Sequence, residues 1–201
     1  MIEYPFAIPF LSGILEEDDL VELRKDTRYN KSATQGYMQG GVKAQNPCMF
    51  NILDSYPKLR DKLLLNFNNF SYDIYGELYG WKIGTSWLTL TGQGDYIHEH
   101  THPNYQWSGI LYHGEEYTSS VPIIFINPLH KLFTYKLIPK ESDVTQLTAS
   151  WVVNPKPGLF VLFPSFIQHY TLKQESDEIR YSMAFNIMPT KVFAGDSSFE
   201  I

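Results

Sequence analysis

The sequence predicts a mainly β protein, a double-stranded β-helix (jelly roll, cupin-like) of about eight strands with two helices packed outside it. Beyond Trp81, short runs rich in β-branched and aromatic residues alternate with turn residues roughly every eight to twelve positions. No helical pattern interrupts these runs, which favours a sandwich or jelly roll over a parallel α/β sheet. The composition agrees: 14 Tyr, 13 Phe and 4 Trp stand among only 19% charged residues, a mixture suited to sheet.

Taken in chain order, Leu15 to Lys25 opens with acids and closes with bases, the order that complements a helix dipole, so a short first helix is expected there. Between Asn30 and Asn51, Gly36, Gly40, Gly41 and Pro47 lie among Gln, Ser and Thr and read as a surface loop that can act as a lid. Asp54 and Ser55 offer caps and Pro57 suits a first turn. Leu59, Leu63, Phe67, Phe70 and Ile74 then recur at helical spacing until Gly76, which predicts a long amphipathic helix. The expected strands are Ile83–Thr91, Gln106–His113, Val121–Ile126, Leu132–Ile138, Ser150–Val153, Gly158–Phe163, Gln168–Leu172 and Ile179–Ile187. With 201 residues and 43% hydrophobic content, the chain is expected to form one domain over 1–201: a helical part to about residue 80 and a β-helix core over about 81–189.

The net charge of −6 and the lack of a Lys/Arg run argue against nucleic acid as a partner. Cys48 is the only cysteine, so no intramolecular disulfide forms and a reducing compartment is expected. The first residues carry Glu3 and Pro5 where a signal peptide would be basic, and no apolar run reaches membrane-spanning length. A soluble cytoplasmic protein is expected, in the host cytoplasm if a phage encodes it.

Chemistry is concentrated in the histidines. Three of the six fall in His98-Glu99-His100-Thr101-His102, just before Pro103. The same letters fit His-Glu-x-x-His, in which two His share a helix face on zinc, but Gly92, Gly94, Asp95 and Pro103 oppose a helix here. On an extended segment, alternate histidines point to one side, and a His-x-His pair can reach one ion. Either His98 with His100 or His100 with His102 can form that pair. His113 and His130 stand without companion motifs and read as structural.

His169 is better placed to be the third ligand, because the apolar run Leu159–Phe163 turns at Pro164 and delivers it to the next strand. If Gln174-Glu175-Ser176-Asp177 forms a tight charged turn, His169 faces Ser182 across a hairpin and Arg180 lies about 8–9 Å away on the same face. A guanidinium at that distance can hold the far carboxylate of a diacid that chelates the metal; its plain alternative is an edge ion pair with Glu178.

These features together resemble the Fe(II)- and 2-oxoglutarate-dependent oxygenases, in particular the prolyl-4-hydroxylase-like branch and small bacterial and phage proteins related to it. The resemblance runs from about Trp87 to Pro189. It rests on Gly94-Asp95 with His100-x-His102-Pro103, on Trp107-Ser108-Gly109-Ile110-Leu111-Tyr112, on Pro157-Gly158 with Phe163-Pro164 and His169, and on Arg180-Tyr181-Ser182-Met183-Ala184-Phe185-Asn186. It implies iron on His100, His102 and His169, with His98 as the alternate ligand. It also implies 2-oxoglutarate on Arg180 with Ser182 and Tyr112 beside it, dioxygen as oxidant, and ascorbate as an optional reductant. One departure is plain: His102 stands where that family usually has a carboxylate, which removes a negative charge from around the metal.

The implied reaction is oxidative decarboxylation of 2-oxoglutarate to succinate and CO2, coupled to hydroxylation of a small-molecule or peptide substrate that the sequence does not identify. Two other readings stand beside it. One is a non-catalytic metal-binding jelly-roll module; the other is a three-His cupin-type dioxygenase, which needs no keto acid and so no Arg180. The stretches Gly36–Pro47 and Pro139–Ala149 are the candidate substrate loops.

Overall fold

The computed structural model describes residues 7–31, 50–76, 80–130, 148–194 and 197–200. The expected lid over Asn30–Asn51, with Cys48, lies almost wholly outside them. So do the expected strand Leu132–Ile138 and most of the stretch Pro139–Ala149.

The described elements are β1 (Leu11–Ile14), α1 (Glu17–Leu20), β2 (Tyr29–Lys31), α2 (Pro57–Tyr75), β3 (Trp81–Thr91), β4 (Ile97–His100), β5 (Trp107–Tyr112) and β6 (Ile123–Ile126). After them come β7 (Ser150–Val153), β8 (Leu159–Pro164), β9 (His169–Thr171), β10 (Arg180–Pro189), β11 (Lys191–Ala194) and β12 (Ser197–Glu200). Six strands form a major sheet in the order β1-β8-β5-β10-β3-β2, antiparallel except for the parallel β2–β3 pair. Four form an antiparallel minor sheet, β4-β9-β6-β7, and β11 pairs with β12. From β3 to β10 the chain crosses repeatedly between the two sheets, the winding of a jelly roll. Between them lies one apolar layer, in which Ile110, Tyr112, Val161 and Phe163 of the major sheet meet Ile123, Phe125 and Val153 of the minor sheet.

The outer face of the major sheet is closed by α2. Pro57 opens this helix and Gly76, at φ 69°, ends it, its N–H donating to the carbonyl of Tyr72. Leu59, Leu63 and Phe67 pack against Leu88, Leu111, Leu162, Met183 and Phe185. The buried stripe then departs from the expected one: Ile74 is exposed, and Ser71 is buried in its last turns, accepting a hydrogen bond from the Trp81 indole at 3.0 Å. The segment expected as one helix over Leu15–Lys25 is a single α turn followed by a 3₁₀ turn at Leu23–Lys25. The break lets Arg24 turn back to donate to the carbonyls of His113 at 2.7 Å and Gly114 at 3.2 Å.

Gly158 is fixed by the backbone at the start of β8. Its φ is 74°, a Cβ there would sit 2.4 Å from the carbonyl oxygen of Leu15, and its own N–H and C=O bind Tyr112 and Leu15. Only glycine meets both demands.

The tight β9–β10 hairpin expected from the sequence is absent. β9 pairs with β4 and β6, while β10 pairs with β3 and β5, so His169 does not face Ser182 across a ladder. The connecting residues carry the chain from one sheet to the other, and Gln174 clamps the crossing. Its side chain is fully buried, accepting from Val121 N at 2.9 Å and donating to Ser176 Oγ and the Glu178 carbonyl, while its N–H donates to Asp95 O. A residue read as part of a charged turn is an internal strut.

Candidate active site

The minor sheet brings two histidines directly opposite each other, because His100 of β4 pairs with His169 of β9. Between Ile97 and His100 the register shifts: three steps on β4 face two on β9, a β-bulge that breaks the alternation assumed for the cluster. The bulge takes His98 out of the converging group and leaves it at the rim of the cavity that group lines. The His98 ring is exposed and rests edge-on against Tyr96 at 4.6 Å, so His98 does not join the inward pair. His102 lies two residues beyond the end of β4 and returns to the same point, its ring stacked within 6° of His169 at 5.2 Å.

The ligand-capable nitrogens of His100, His102 and His169 all lie within 4.8 Å of one another, and Nε2 of His102 is 3.4 Å from Nε2 of His169. Two nitrogens bound at about 2.1 Å to one ion stand roughly 3–3.4 Å apart, so the spacing fits a shared metal. The tautomers fit as well. Nδ1 of His100 donates to the His98 carbonyl at 2.8 Å and Nδ1 of His169 to the Ile167 carbonyl at 3.0 Å, which leaves each Nε2 lone pair free. Burial also keeps the rings neutral: it pulls His169 well below the ordinary imidazole range, lowers His100, and with His100 nearby lowers His102 to about 4. No carboxylate joins the three among the described residues, and Glu99 is exposed.

The same physics sets a pH dependence. Buried His113 is also lowered to about 4, from an ordinary 6.5. An unfolded chain takes up protons on His102 and His113 as pH falls through 6.5, while the folded chain resists until about 4. The metal-free protein is therefore expected to lose stability as pH drops from 6.5 towards 4, and to be insensitive to these groups above 7. Denaturant midpoints at pH 7 and pH 5 check this.

One cavity joins the three histidines to Arg180 and Ser182, with Trp87, Thr89, Tyr96, Ile97 and Tyr170 among its other walls. Arg180 is completely buried. Its Nη1 donates to the Val121 carbonyl and its Nη2 to Thr91 Oγ1, each at 3.1 Å, and its Nε has no partner. No carboxylate among the described residues pairs with it, and Glu178 instead accepts from Thr118 and Ser119. A buried guanidinium without an anion is costly, and an anion in the cavity would relieve it. Tyr112 pairs with Ser182 across β5 and β10 and so shares its face, though it does not line the cavity; its hydroxyl is buried without a partner and pushed up to about 12 by burial.

Several neighbours were not singled out by the sequence reading. Trp87 packs on His102 at 5.9 Å, Phe125 and Phe163 flank His169, and Thr91 holds Arg180. A buried chain of side chains also runs beneath the site: Ser165 and Ser108 hydroxyls are 2.8 Å apart, Ser108 donates to Asn186 Oδ1 at 2.8 Å, and Asn186 Nδ2 donates to Thr85 at 3.0 Å. Ser108 and Asn186 fall within the motifs quoted from the sequence, but no role was read for them there, and Thr85 carries no signal beyond strand alternation. His130 takes no part, and His113 packs against Tyr29 on the opposite face of the major sheet.

With His98 exposed and outside the three converging imidazoles, His98→Ala is expected to change metal affinity by less than about threefold. A metal titration of the variant checks it, and loss of binding would move the ligand pair to His98 and His100.

Comparison with known proteins bears on the fold and the family. Solved structures that resemble the chain include a Pseudomonas putida prolyl-4-hydroxylase (16% identity, TM-score 0.51, covering 90% of this chain and 85% of the other). They also include HygX from Streptomyces hygroscopicus with nickel and 2-oxoglutarate bound (12% identity, TM-score 0.57, covering 91% and 84%). The chain spans about half the length of a 2OG-Fe(II) oxygenase family oxidoreductase from Burkholderia pseudomallei (13% identity, TM-score 0.44, covering 61% and 52%). The likeness to the prolyl-4-hydroxylase and to HygX shows the shared jelly-roll fold. No curated protein sequence matches. A family model described as "Putative 2OG-Fe(II) oxygenase" matches residues 85–186, just over half of the chain and every residue that lines the cavity, and the chain therefore belongs to the 2OG-Fe(II) oxygenase family.

Proposed function

We propose that the protein hydroxylates a small-molecule or peptide substrate, with iron on His100, His102 and His169 and 2-oxoglutarate anchored by Arg180, Ser182 and Tyr112. Bound iron and 2-oxoglutarate together supply the oxidative chemistry, consuming dioxygen and releasing succinate and CO2. The chain's own residues orient and exclude. The carbonyls of His98 and Ile167 hold two imidazoles with Nε2 inward, and Trp87, Phe125 and Phe163 keep water from the centre. Arg180 offers Nε to an incoming carboxylate, and the Tyr112 hydroxyl, kept protonated, is a further donor on the same sheet face.

The observation that carries the reading is Arg180, a fully buried cation without an anion, in one cavity with three converging imidazoles. It also weighs against a three-His dioxygenase that uses no keto acid, and against a purely structural metal module, neither of which needs such a group. Among the described residues the cavity walls carry no Asp, Glu or Lys, which favours an apolar or aromatic group at the reacting end of the substrate. We read residues 1–201 as one domain, since β1 joins the major sheet and α2 covers its face. No helix among the described residues is long and apolar enough to cross a membrane.

The test is an anaerobic titration of metal-free protein with Fe(II) and then 2-oxoglutarate. A weak visible charge-transfer band that needs both, and that decays on admitting oxygen as succinate forms, is the expected result. Tight zinc binding with neither band nor succinate would overturn the reading in favour of a structural metal site.

A further inference from the structure

Unlike His100 and His169, His102 has no carbonyl to orient its ring; among the described residues its Nδ1 makes no hydrogen bond. It is also off the strand, two residues past the end of β4. What holds its backbone is the bond from His102 N to the Ser165 carbonyl at 2.9 Å. Ser165 sits in the β8–β9 turn, where Ile167 N donates to the Pro164 carbonyl and the Ile167 carbonyl in turn accepts from Nδ1 of His169. One turn thus governs two of the three imidazoles, and it is tied to the major sheet twice: Ser165 N donates to the Gln106 carbonyl at 3.1 Å, and the Ser165 hydroxyl bonds Ser108.

Proton bookkeeping gives the chain of hydroxyls a direction. The single proton of Ser108 goes to Asn186 Oδ1, so Ser165 must donate to Ser108, while Asn186 spends an amide proton on Thr85. Ser165, Ser108 and Asn186 are each at most 3% exposed, so losing one link leaves a polar group stranded without water. The links reach three adjacent strands, β3, β10 and β5, which makes the anchor rigid.

We propose that Ser165 is a positioning residue for the metal centre, setting the His102–His169 separation through its hydrogen bond to Ser108, which Asn186 in turn anchors. The inference rests on the metal-site reading above. It predicts that the hydroxyl matters to the ion even though it never touches it, as orienting partners of metal ligands commonly do.

The test uses Co(II) alone as the probe, titrated into the metal-free full-length chain and read by its visible absorption, with thermal melting recorded on the same metal-free samples. Ser165→Ala is expected to weaken Co(II) binding about tenfold or more and to alter the band, with Ser165→Thr, which keeps the hydroxyl, restoring both. Ser108→Ala, one link further from the ion, is expected to act in the same direction and decides the matter if Ser165→Ala does not fold. Wild-type Co(II) affinity and spectrum in both alanine variants, with or without a lower melting temperature, would overturn the positioning role. Undiminished Co(II) binding by His169→Ala would instead overturn the metal site itself, and the positioning role with it.

Discussion

Replacing His169 with alanine is expected to abolish metal binding and all turnover. His169 converges closely with the other two imidazoles: its ring centre is 4.2 Å from that of His100 and 5.2 Å from that of His102. It is also the most enclosed of the three, 6% exposed between Phe125 and Phe163. No other described Cys, His, Asp or Glu groups with His100 and His102 to replace it, so only two nitrogens would remain. Because no carboxylate among the described residues joins the group, each imidazole would carry a full third of the ligation, and the loss should exceed about a hundredfold in affinity. Equilibrium titration with Fe(II) or Co(II) measures it; retention of affinity within tenfold of wild type would remove His169 from the site.

Arg180→Ala is expected to raise the 2-oxoglutarate requirement by about 30- to 5,000-fold, the usual cost of about 2–5 kcal/mol for removing one partner of a buried charge pair. Metal affinity should stay nearly unchanged, since Arg180 is not among the grouped imidazoles. The effect on the metal-free fold has the opposite tendency. Removing a buried cation that lacks a counter-anion relieves a desolvation cost, though it also strands the Val121 carbonyl and the Thr91 hydroxyl. Succinate formation against 2-oxoglutarate concentration checks the first expectation, and an unchanged co-substrate response would separate Arg180 from the keto acid.

The sequence made the strands of the core visible where they are long or uniformly apolar. The run Leu159–Phe163 followed by Pro164 reads as a buried strand with a sharp end, and β8 occupies almost those bounds. Four-residue strands such as β1 and β4 do not repeat a pattern often enough to be read, and β4 hides further because its residues are the histidines themselves. The grouping of His100, His102 and His169 was legible as chemistry, from density and spacing. The exclusion of His98 was not, because a bulge has no signature in the residues that form it. Most instructive is the segment between β9 and β10. A short polar stretch between two apolar runs looks like a hairpin, yet the same letters serve a crossing between sheets once Gln174 is buried as a strut. Arg180 still reaches the metal cavity, approaching from the facing sheet and not from a neighbouring strand.

The β6–β7 pairing bears on how such a protein changes over evolutionary time. The two strands lock together from Ile123↔Val153 to Ile126↔Ser150, and the register continues into β9 through Phe125↔His169. The register that carries His169 is therefore set by strand pairing on both sides of the interval between Ile126 and Ser150. Lengthening that interval adds only about 0.6 kcal/mol of closure entropy per doubling. Insertions and deletions there are nearly free, whereas a single residue inserted into β9 would flip His169 to the other face of its sheet. Lineages carrying this scaffold should accordingly diversify by swapping the β6–β7 connection while the metal-bearing strands keep their length.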